Sequence, residues 1–448
     1  MTSFSSSHEA TAQTSAPFIP ASEYTSPEML TLEKERLWPK VWQMACRLEE
    51  IPAVGDFVNY KIFDESILVT RTAKDRIQAF YNTCQHRGRR LRDDERGRAG
   101  QWYCRFHGWR YNLDGSIAYV HDREDWQACP LNDADIGLKE VRVDTWAGWV
   151  WINQDTEAQS LRKYLGEAAD LLDPFELENT RIHWWSTIVA PINWKVIVEA
   201  FNEAYHAAAT HTIGVHYKGF KSPGVAFGDH GMFYSISTTG ELYEYLDTET
   251  QRWTEAKTAQ EAIWAHNRHQ FTTLFAITGE PLLAACERLH AENSGPLSGE
   301  QLALRLEGLH REEFAKRGLT WPERLTREAQ AKAGVDWHLF PNTVLLPTAD
   351  GALWYRARPN GDDPNSSLFD IWSLRRYPAG VAPVYEHETV EGFDAFRGRN
   401  PFLEEDFDNM EAVHQGMKSR GWAGARLNPL QEAQIANFHR ALRSYIAR

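Results

Sequence analysis

The chain has 448 residues, with 42% hydrophobic and 12% aromatic residues and a formal net charge of −14. This length gives room for two or three domains, and the composition is typical of a globular protein. The acidic balance argues against a nucleic-acid partner, because phosphate binding needs a concentrated positive surface. No apolar run is long enough to span a membrane.

The chain is predicted to begin with a disordered tail over residues 1–25, because this stretch is rich in Ser, Thr and Ala. It lacks the basic start and apolar segment of a signal peptide. A short helix follows over residues 26–40, with Ser26 as N-cap and Pro27 at its first position. From residue 41 to 156, short β-like runs separated by Gly and Asp turns predict an all-β domain.

Two motifs within this β domain supply metal ligands. They read Cys84-Gln-His86 and Cys104-Arg-Phe-His107. A structural zinc site is one interpretation, but zinc ribbons usually pair two cysteines on one knuckle, whereas each motif here carries one cysteine and one histidine. The pattern favours a Rieske [2Fe-2S] cluster, in which the cysteines bind one iron and the histidines the other.

Arginines crowd the same loops in an otherwise acidic protein. They form either a solvated face or a docking surface for an acidic electron donor such as a ferredoxin. The residues are Arg87, Arg89, Arg90, Arg92, Arg96, Arg98 and Arg105. The other three of the five cysteines, Cys46, Cys129 and Cys286, follow no pattern, so we expect buried free thiols in a reducing cytoplasm.

The remaining chain, residues 157–448, is predicted to be a second domain that mixes strands and helices. A strand is expected over Arg181–Ala190, a helix over Asn193–Ala209, and a helical insertion over about 255–333, where Ser298 and Gln301 form a capping box. Later runs predict an antiparallel sheet and two final helices. These later elements are Phe340–Leu346, Leu353–Arg358, Leu368–Leu374, Leu403–Met417 and a helix opened by Asn428-Pro429.

The predicted helix at Asn193 carries His206 and His211. At roughly 100° per residue, a spacing of five places them about 140° apart on a regular helix, so both can bind one metal only if the helix is distorted. Spacing alone leaves open a pairing of His211 with His216, or histidines that only cap and pack.

With these motifs the sequence resembles the Rieske non-haem iron aromatic ring-hydroxylating oxygenases, in particular their alpha (large catalytic) subunit. The resemblance implies an α+β fold, with an all-β Rieske domain followed by a helix-grip-like catalytic domain. It implies that His206 and His211 bind a mononuclear Fe(II), since Glu203, His206 and His211 match the family's carboxylate–histidine–histidine motif. It selects Asp406 as the third ligand, with Asp408 and Glu405 as alternatives.

In the family, the carboxylate at the position of Glu203 connects a cluster histidine of one subunit to an iron histidine of the next. Glu203 is therefore expected to be the electron bridge, although the commonest residue there is Asp, and some oxygenases of quaternary ammonium compounds also use Glu. The alternative interpretation is that Glu203 is an ordinary surface glutamate. Asn202 and Tyr205, on either side of it, are further candidate catalytic residues.

The resemblance implies the terminal oxygenase of a system that uses O2 and electrons from NAD(P)H. The electrons come through a separate reductase or ferredoxin, because no nucleotide-binding Gly-rich motif is present. A homotrimer is expected, and a beta subunit is possible.

The expected substrate is an aromatic or alicyclic molecule that is hydroxylated or O-demethylated. The alternative substrate is a trimethylammonium compound held by cation–π contacts. A more remote alternative function is that of an electron-transfer protein without an active iron site. Candidate pocket residues, each alternatively core, are Phe201, Asn202, Phe271, Phe275, Leu345 and Trp354.

Overall fold

The computed structural model describes residues 18–211, 215–217, 220–237, 242–247, 252–292, 295 and 297–447. The chain forms two compact units. The small unit runs from Thr31 to Tyr164, and the large unit combines the residues up to Leu30 with Leu165–Ala447. The predicted boundaries of the β domain, 41 and 156, fall inside the small unit. The small unit is therefore inserted into the sequence of the large one.

The described chain opens with a strand and a short helix, β1 (Phe18–Pro20) and α1 (Ser22–Thr25), followed by α2 (Pro27–Leu32). The predicted disordered tail is wrong for residues 18–25, because β1 has an antiparallel partner far along the chain at residues 424–426. Residues 1–17 lie outside the described part. Ser26 accepts a hydrogen bond from the Met29 amide at 3.1 Å, as an N-cap does.

The small unit is built on a seven-stranded antiparallel sheet. Its elements are β2 (Gln43–Arg47), β3 (Asp56–Ile62), β4 (Glu65–Ala73), β5 (Arg76–Tyr81), β6 (Arg96–Arg98), β7 (Trp102–Tyr103), β8 (Arg110–Tyr111), β9 (Ile117–Tyr119), α3 (Asp133–Ile136), β10 (Glu140–Trp146), β11 (Trp149–Asn153) and α4 (Leu161–Leu165). The order in the large sheet is β2-β11-β10-β5-β4-β3-β6, and β7, β8 and β9 form a second, three-stranded sheet. The prediction of an all-β domain is confirmed.

An apolar core cluster contains side chains of both sheets and holds both cluster cysteines. Phe57 and Trp102 meet edge to face within it, with ring centroids 5.6 Å apart. Cys84 and Cys104 are 2% exposed. Of the remaining thiols, Cys46 and Cys286 are buried as expected, but Cys129 is exposed, so that expectation is wrong for Cys129.

The large unit continues with a sheet, four insertion helices and two final helices. Its elements are α5 (Glu167–Leu172), β12 (Arg181–Ala190), α6 (Trp194–Ala200), α7 (Ala207–Thr210), β13 (Val215–Tyr217), β14 (Phe220–Lys221), β15 (Gly224–Phe227), β16 (His230–Phe233), β17 (Ile236–Ser237), β18 (Leu242–Asp247), β19 (Arg252–Thr254), α8 (Ala259–Thr273), α9 (Glu280–Ala291), α10 (Gly299–Lys316), α11 (Arg327–Ala333), β20 (Asp336–Leu339), β21 (Thr343–Pro347), β22 (Gly351–Pro359), β23 (Ser367–Arg375), β24 (His387–Glu391), α12 (Pro401–Met417), β25 (Gly424–Arg426) and α13 (Ala433–Ile446). The predicted helical insertion is confirmed, as is the Ser298–Gln301 capping box.

An eight-stranded sheet, ordered β15-β16-β20-β21-β22-β23-β12-β24, forms the centre of the large unit. One face of this sheet receives the end of α6. There the Phe201 ring stacks on Tyr355 of β22 with centroids 4.4 Å apart and lies 5.5 Å from the Phe369 ring. We call this side of the sheet the inner face. No helix in the described part of the chain is both long and apolar enough to cross a membrane.

A buried ion network ties both ends of the described chain to α6. His439 of α13 lies between two carboxylates, with Nδ1 2.8 Å from Glu23 and Nε2 2.7 Å from Glu199. The Tyr24 hydroxyl donates to Glu199 at 3.0 Å. Burial lowers the pKa of His439, but the charges and hydrogen bonds of Glu199 and Glu23 outweigh burial and raise its pKa overall. The cationic imidazole thus stabilises the junction of three helices.

Candidate active site

The two cysteine–histidine motifs form matching turns. The Gly88 amide donates to the Cys84 carbonyl at 2.9 Å, and the Gly108 amide donates to the Cys104 carbonyl at 3.0 Å. Both glycines have φ +74°, a left-handed conformation that favours glycine over residues with a Cβ. The repeated turn therefore presents a cysteine and a histidine from each loop in the same way.

The side chains of these loops fit a Rieske cluster. The His86 and His107 rings lie 4.6 Å apart, and the Nδ1 atom of each is buried without a hydrogen-bond partner among the described residues. Burial raises the pKa of the Cys84 thiol, which therefore stays protonated unless a metal replaces the proton. Two thiols beside two orphaned ring nitrogens are the donor set that a [2Fe-2S] cluster of this type needs.

Tyr111 of β8 is a cluster-site residue that sequence reasoning missed. Its hydroxyl lies 3.3 Å from Cys84 Sγ and accepts a hydrogen bond from the Gln85 amide at 3.0 Å. Burial raises the Tyr111 pKa above its ordinary value, so the hydroxyl keeps its proton and can donate it to the sulfur. The one sequence signal for the role of Tyr111 at the cluster site is its position shortly after His107.

The second candidate metal site lies at a break in the helix after Asn193. The continuous helix predicted over Asn193–Ala209 is wrong, because α6 ends at Ala200 and α7 begins only at Ala207. Glu203 fills the gap: its carboxylate accepts hydrogen bonds from the Tyr205 amide and, at 3.0 Å, from the His206 amide. The distortion that the histidine spacing requires is thus a break in the helix capped by Glu203.

The break brings two histidines to the carboxylate of a distant helix. Nε2 of His206 and Nε2 of His211 each lie 3.4 Å from Asp406 Oδ1 of α12. The three ligand atoms lie within 4.8 Å of one another and are the one such group found in the described part of the chain. Two imidazoles and one carboxylate are the donor set of non-haem Fe(II) sites with open positions, so these residues fit the metal.

Each of the two histidines has a carboxylate on its other ring nitrogen. His206 Nδ1 lies 2.5 Å from Glu203 Oε1, and His211 Nδ1 lies 3.1 Å from Glu405 Oε2. These contacts hold the Nδ1 proton and direct Nε2 toward Asp406. Glu405 therefore contacts Nδ1 of His211, whereas Asp406 faces Nε2 of the same ring. Asp408, the other alternative ligand, is exposed and pairs with Arg397.

The protonation of His206 also depends on these carboxylates. Burial lowers the pKa of His206, but hydrogen bonds to Asp406 and Glu203 and their charges raise it overall to about 10. A metal must displace this proton to bind Nε2, so metal affinity should increase with pH. The His216 side chain lies outside the described part of the structure.

The remaining candidate residues are dispersed. Asn202 is buried and its carbonyl accepts from Gln434 at 2.5 Å, whereas Tyr205 is 54% exposed. Phe201 lies on the inner face. Leu345 and Trp354 do not, because side chains alternate along a strand and Trp354 is next to Tyr355, so both fit the alternative interpretation as core residues.

Two further pocket candidates lie in or just after α8. The Arg375 guanidinium lies 5.7 Å from the Phe271 ring centroid. The backbone of Phe275 has φ 55°, and its carbonyl accepts hydrogen bonds from Ser373 and Arg375. For Phe275 the described contacts are with the end of β23 and not with the histidines.

Taken together, the fold and the two sites define a protein with one Rieske-type cluster and one mononuclear non-haem iron. Residues 177–448 match the family described as "Ring hydroxylating alpha subunit (catalytic domain)", and residues 41–130 match the "Rieske [2Fe-2S] domain". The first match covers more than half of the chain, which therefore belongs to the ring-hydroxylating alpha subunit family. The family resemblance, the α+β class and both iron cofactors are thereby confirmed.

The chain is similar to proteins of two substrate classes. It is 28% identical over 43% of its length to the oxygenase subunit of glycine betaine monooxygenase from Pseudomonas aeruginosa, of which the match covers 44%. It is 30% identical over 53% of its length to the alpha subunit of biphenyl 2,3-dioxygenase from Rhodococcus jostii, of which the match covers 56%. These matches thus span about half the length of each relative.

Similarity of fold extends over nearly the whole chain. A crystal structure of a quaternary ammonium Rieske monooxygenase in complex with its substrate L-carnitine superimposes with a TM-score of 0.62. The sequence identity is 19%, and the superposition covers 96% of each chain. At this identity the likeness supports the shared fold alone.

Proposed function

We propose that this chain is the terminal oxygenase of a Rieske system and that it oxygenates a small quaternary ammonium compound. The observation that carries the oxygenase activity is the His206, His211 and Asp406 group, whose three ligand atoms converge within 4.8 Å. When iron is bound there, it supplies activation of O2 at its open positions. An electron carrier has no need of a second, converging ligand set.

The substrate class is supported by the glycine betaine monooxygenase relative and by the bridging residue. Glu203 stands where the aromatic dioxygenases usually carry Asp, and Glu occurs there in some oxygenases of quaternary ammonium compounds. Carboxylates also dominate the surroundings of the site: Glu203 contacts His206, Glu405 contacts His211, and Asp406 contacts both. This negative environment favours a cationic substrate over a neutral one.

The chain's own residues orient the ligands and hold protons. Glu203 keeps the proton of His206 on Nδ1, and Glu405 does the same for His211. Phe402 stacks on the His211 ring at 3.9 Å and shields one side of it from water. The proposed reaction converts one C–H bond to C–OH, with O2, two electrons and two protons consumed and one water released.

We further propose that the electrons arrive from a separate NAD(P)H-dependent reductase, directly or through a ferredoxin. Three of the cluster-loop arginines, Arg87, Arg90 and Arg105, have no ion pair with a described residue and remain available for an acidic donor. The other four pair with neighbouring acids: Arg89 with Asp93, Arg92 with Asp94, Arg96 with Glu50 and Arg98 with Asp56. The basic surface is therefore smaller than the sequence indicates.

Glu203 is proposed to connect its own iron site to the cluster of a neighbouring copy, as the family resemblance implies. This route requires a closed ring of copies, for which we propose a homotrimer. Sedimentation of the cluster-loaded protein checks the trimer. A Glu203→Gln variant should keep both iron centres but lose coupled turnover, because the bridge between the cluster histidine and the iron histidine loses its charge.

The test is a metal count followed by a substrate panel. Anaerobically purified protein should contain about three irons for two acid-labile sulfides, one iron beyond the cluster. With a surrogate reductase and NADH, glycine betaine or L-carnitine should stimulate O2 uptake. Under 18O2, one labelled oxygen atom should enter the product. A ratio of two irons to two sulfides after Fe(II) reconstitution overturns the oxygenase proposal.

Ring dihydroxylation is the second candidate. It is supported by the biphenyl 2,3-dioxygenase relative and by the aromatic stack of Phe201, Tyr355 and Phe369 on the inner face. The same panel separates the two candidates. An aromatic substrate that incorporates both labelled oxygen atoms, with no turnover of the ammonium compounds, favours dihydroxylation.

A further inference from the structure

Asp336, the first residue of β20, places a carboxyl group on the inner face of the sheet. His338 lies opposite Val344, and Val344 lies opposite Tyr355, so these three residues share a face. Asp336 is two residues before His338 and points the same way. It therefore lies on the face that carries Phe201 and the end of α6.

One oxygen of this carboxyl group is left without a protein partner in the described part of the chain. Asp336 is 5% exposed, and its Oδ1 is buried without a hydrogen bond to any described residue. An unsatisfied buried polar group destabilises the folded state, and an unpaired buried charge destabilises it more. A residue retained only for packing would not carry that cost. Buried groups of this kind are typical of binding sites.

The electrostatic surroundings of Asp336 are those of the iron site. Burial is the main cause that raises its pKa; the Trp337 amide and His206 lower it, and Glu203 raises it further. The pKa of Tyr355 is raised by burial and then by the charges of Asp406 and Asp336, so Tyr355 lies within electrostatic reach of both. No lysine or arginine is among these influences.

The iron ligands do not use Asp336. The metal group consists of His206, His211 and Asp406. Asp336 is therefore a carboxyl group beyond those that would serve the metal. A cation that enters from solution can neutralise it.

We propose that Asp336, on the inner face of the sheet near the iron ligands, is the counter-charge for the quaternary ammonium group of the substrate. This inference rests on the proposed function and assigns its substrate-binding anion. A permanent cation beside the carboxyl favours the ionised form. The nearby rings of Tyr355 and Phe201 supply apolar surface for the methyl groups.

The experiment compares two ligands that differ by one atom. Glycine betaine and 3,3-dimethylbutanoate have the same shape, but the first carries a positive nitrogen where the second has carbon. Dissociation constants are measured by calorimetry on the anaerobic, iron-loaded enzyme. Asp336→Asn keeps the shape of the side chain and removes its charge, and Asp229→Asn, on a loop of the same unit, is the charge-matched control.

We expect Asp336→Asn to weaken glycine betaine binding by about 10- to 100-fold, the range of a desolvated charge pair, and to change 3,3-dimethylbutanoate binding by less than about threefold. KM for the betaine should rise, with kcat little changed. The melting temperature should stay equal or increase, since an unsatisfied group is removed. Asp229→Asn should behave as wild type.

Two results overturn the inference in distinguishable ways. If wild type binds the betaine and Asp336→Asn binds it equally well, Asp336 is not the anion, and the proposed substrate class stands. If wild type binds neither betaine nor carnitine, the substrate class and the inference both fail. An equal loss of kcat with both ligands would instead assign Asp336 to proton transfer and also overturn the inference.

Discussion

Glu405 offers the sharpest test of how the iron histidines are held. Its carboxylate accepts the Nδ1 proton of His211 at 3.1 Å, and its side chain is 20% exposed. Carboxylates in this position fix the tautomer and ring orientation of a metal-binding histidine, and their removal costs roughly 10- to 100-fold in metal affinity. We therefore expect Glu405 variants to weaken binding of the mononuclear iron.

The geometry places the effect at the lower end of that range. The contact between Glu203 and His206 is 2.5 Å, so the Glu405 contact is the longer and weaker of the two. We expect about tenfold weaker Fe(II) binding for Glu405→Ala, or about 1.4 kcal/mol. Glu405→Gln keeps an oxygen that can accept the proton and should cost about threefold.

The assay is anaerobic titration of the iron-depleted site with Fe(II) against a competing chelator, with the cluster intact. Glu411→Gln is the matched control, because Glu411 lies on the same helix but is exposed. Wild-type affinity in Glu405→Ala would refute the idea that Glu405 orients His211. Complete loss of the iron in Glu405→Ala would indicate that Glu405 is itself the third ligand.

Three further predictions concern other parts of the chain. Asp406→Asn should lower the iron content from about three to about two per chain without loss of sulfide, because the mononuclear site loses its carboxylate. His439→Gln should lower the free energy of unfolding by about 3–5 kcal/mol, since buried carboxylates, Glu199 among them, lose their cation. Because the folded-state pKa of His439 is raised, its contribution to wild-type stability is complete below about pH 6.5 and is lost as pH rises through the raised value; the variant should lack this dependence in pH-resolved denaturation. Tyr111→Phe should make the cluster potential more negative by roughly 40 mV in a redox titration, the equivalent of one hydrogen bond of about 1 kcal/mol to the Cys84 sulfur.

Each of these three predictions has its own contrary result. Retention of the third iron in Asp406→Asn would return the choice of ligand to the neighbouring carboxylates. An unchanged unfolding midpoint in His439→Gln would mean that the ion network contributes no net stability. A Tyr111→Phe cluster with the wild-type potential would show that the hydroxyl does not favour the reduced state.

The local chemistry of both metal sites was accessible from the sequence because it depends on residues close together in the chain. Cys84 with His86, and Cys104 with His107, define their turns by themselves. The β domain and the helical insertion followed from periodicity and caps. The choice of Asp406 came only from family resemblance, since composition alone offers five carboxylates over residues 404–411.

What the sequence did not indicate depends on long-range placement. Glu405 reaches His211 only because α12 packs beside the helix break, and a run of acids gives no sign of which one does so. In the sequence nothing distinguishes Asp336 from other polar residues near strands. The sheet register places it on the same face as Tyr355. Apolar character alone does not tell which face of a sheet Leu345 and Trp354 occupy, so the sequence leaves pocket and core open for both.

The insertion of the small unit within the large one also bears on biosynthesis. The residues of the small unit are contiguous from Thr31 to Tyr164, so it can fold as soon as that stretch has left the ribosome. The large unit must wait, because β1 pairs with residues 424–426 and Glu23 needs His439. Chains arrested before Asp406 would therefore carry a complete cluster-binding unit and an incomplete iron site, and cluster insertion can precede iron loading on every nascent chain.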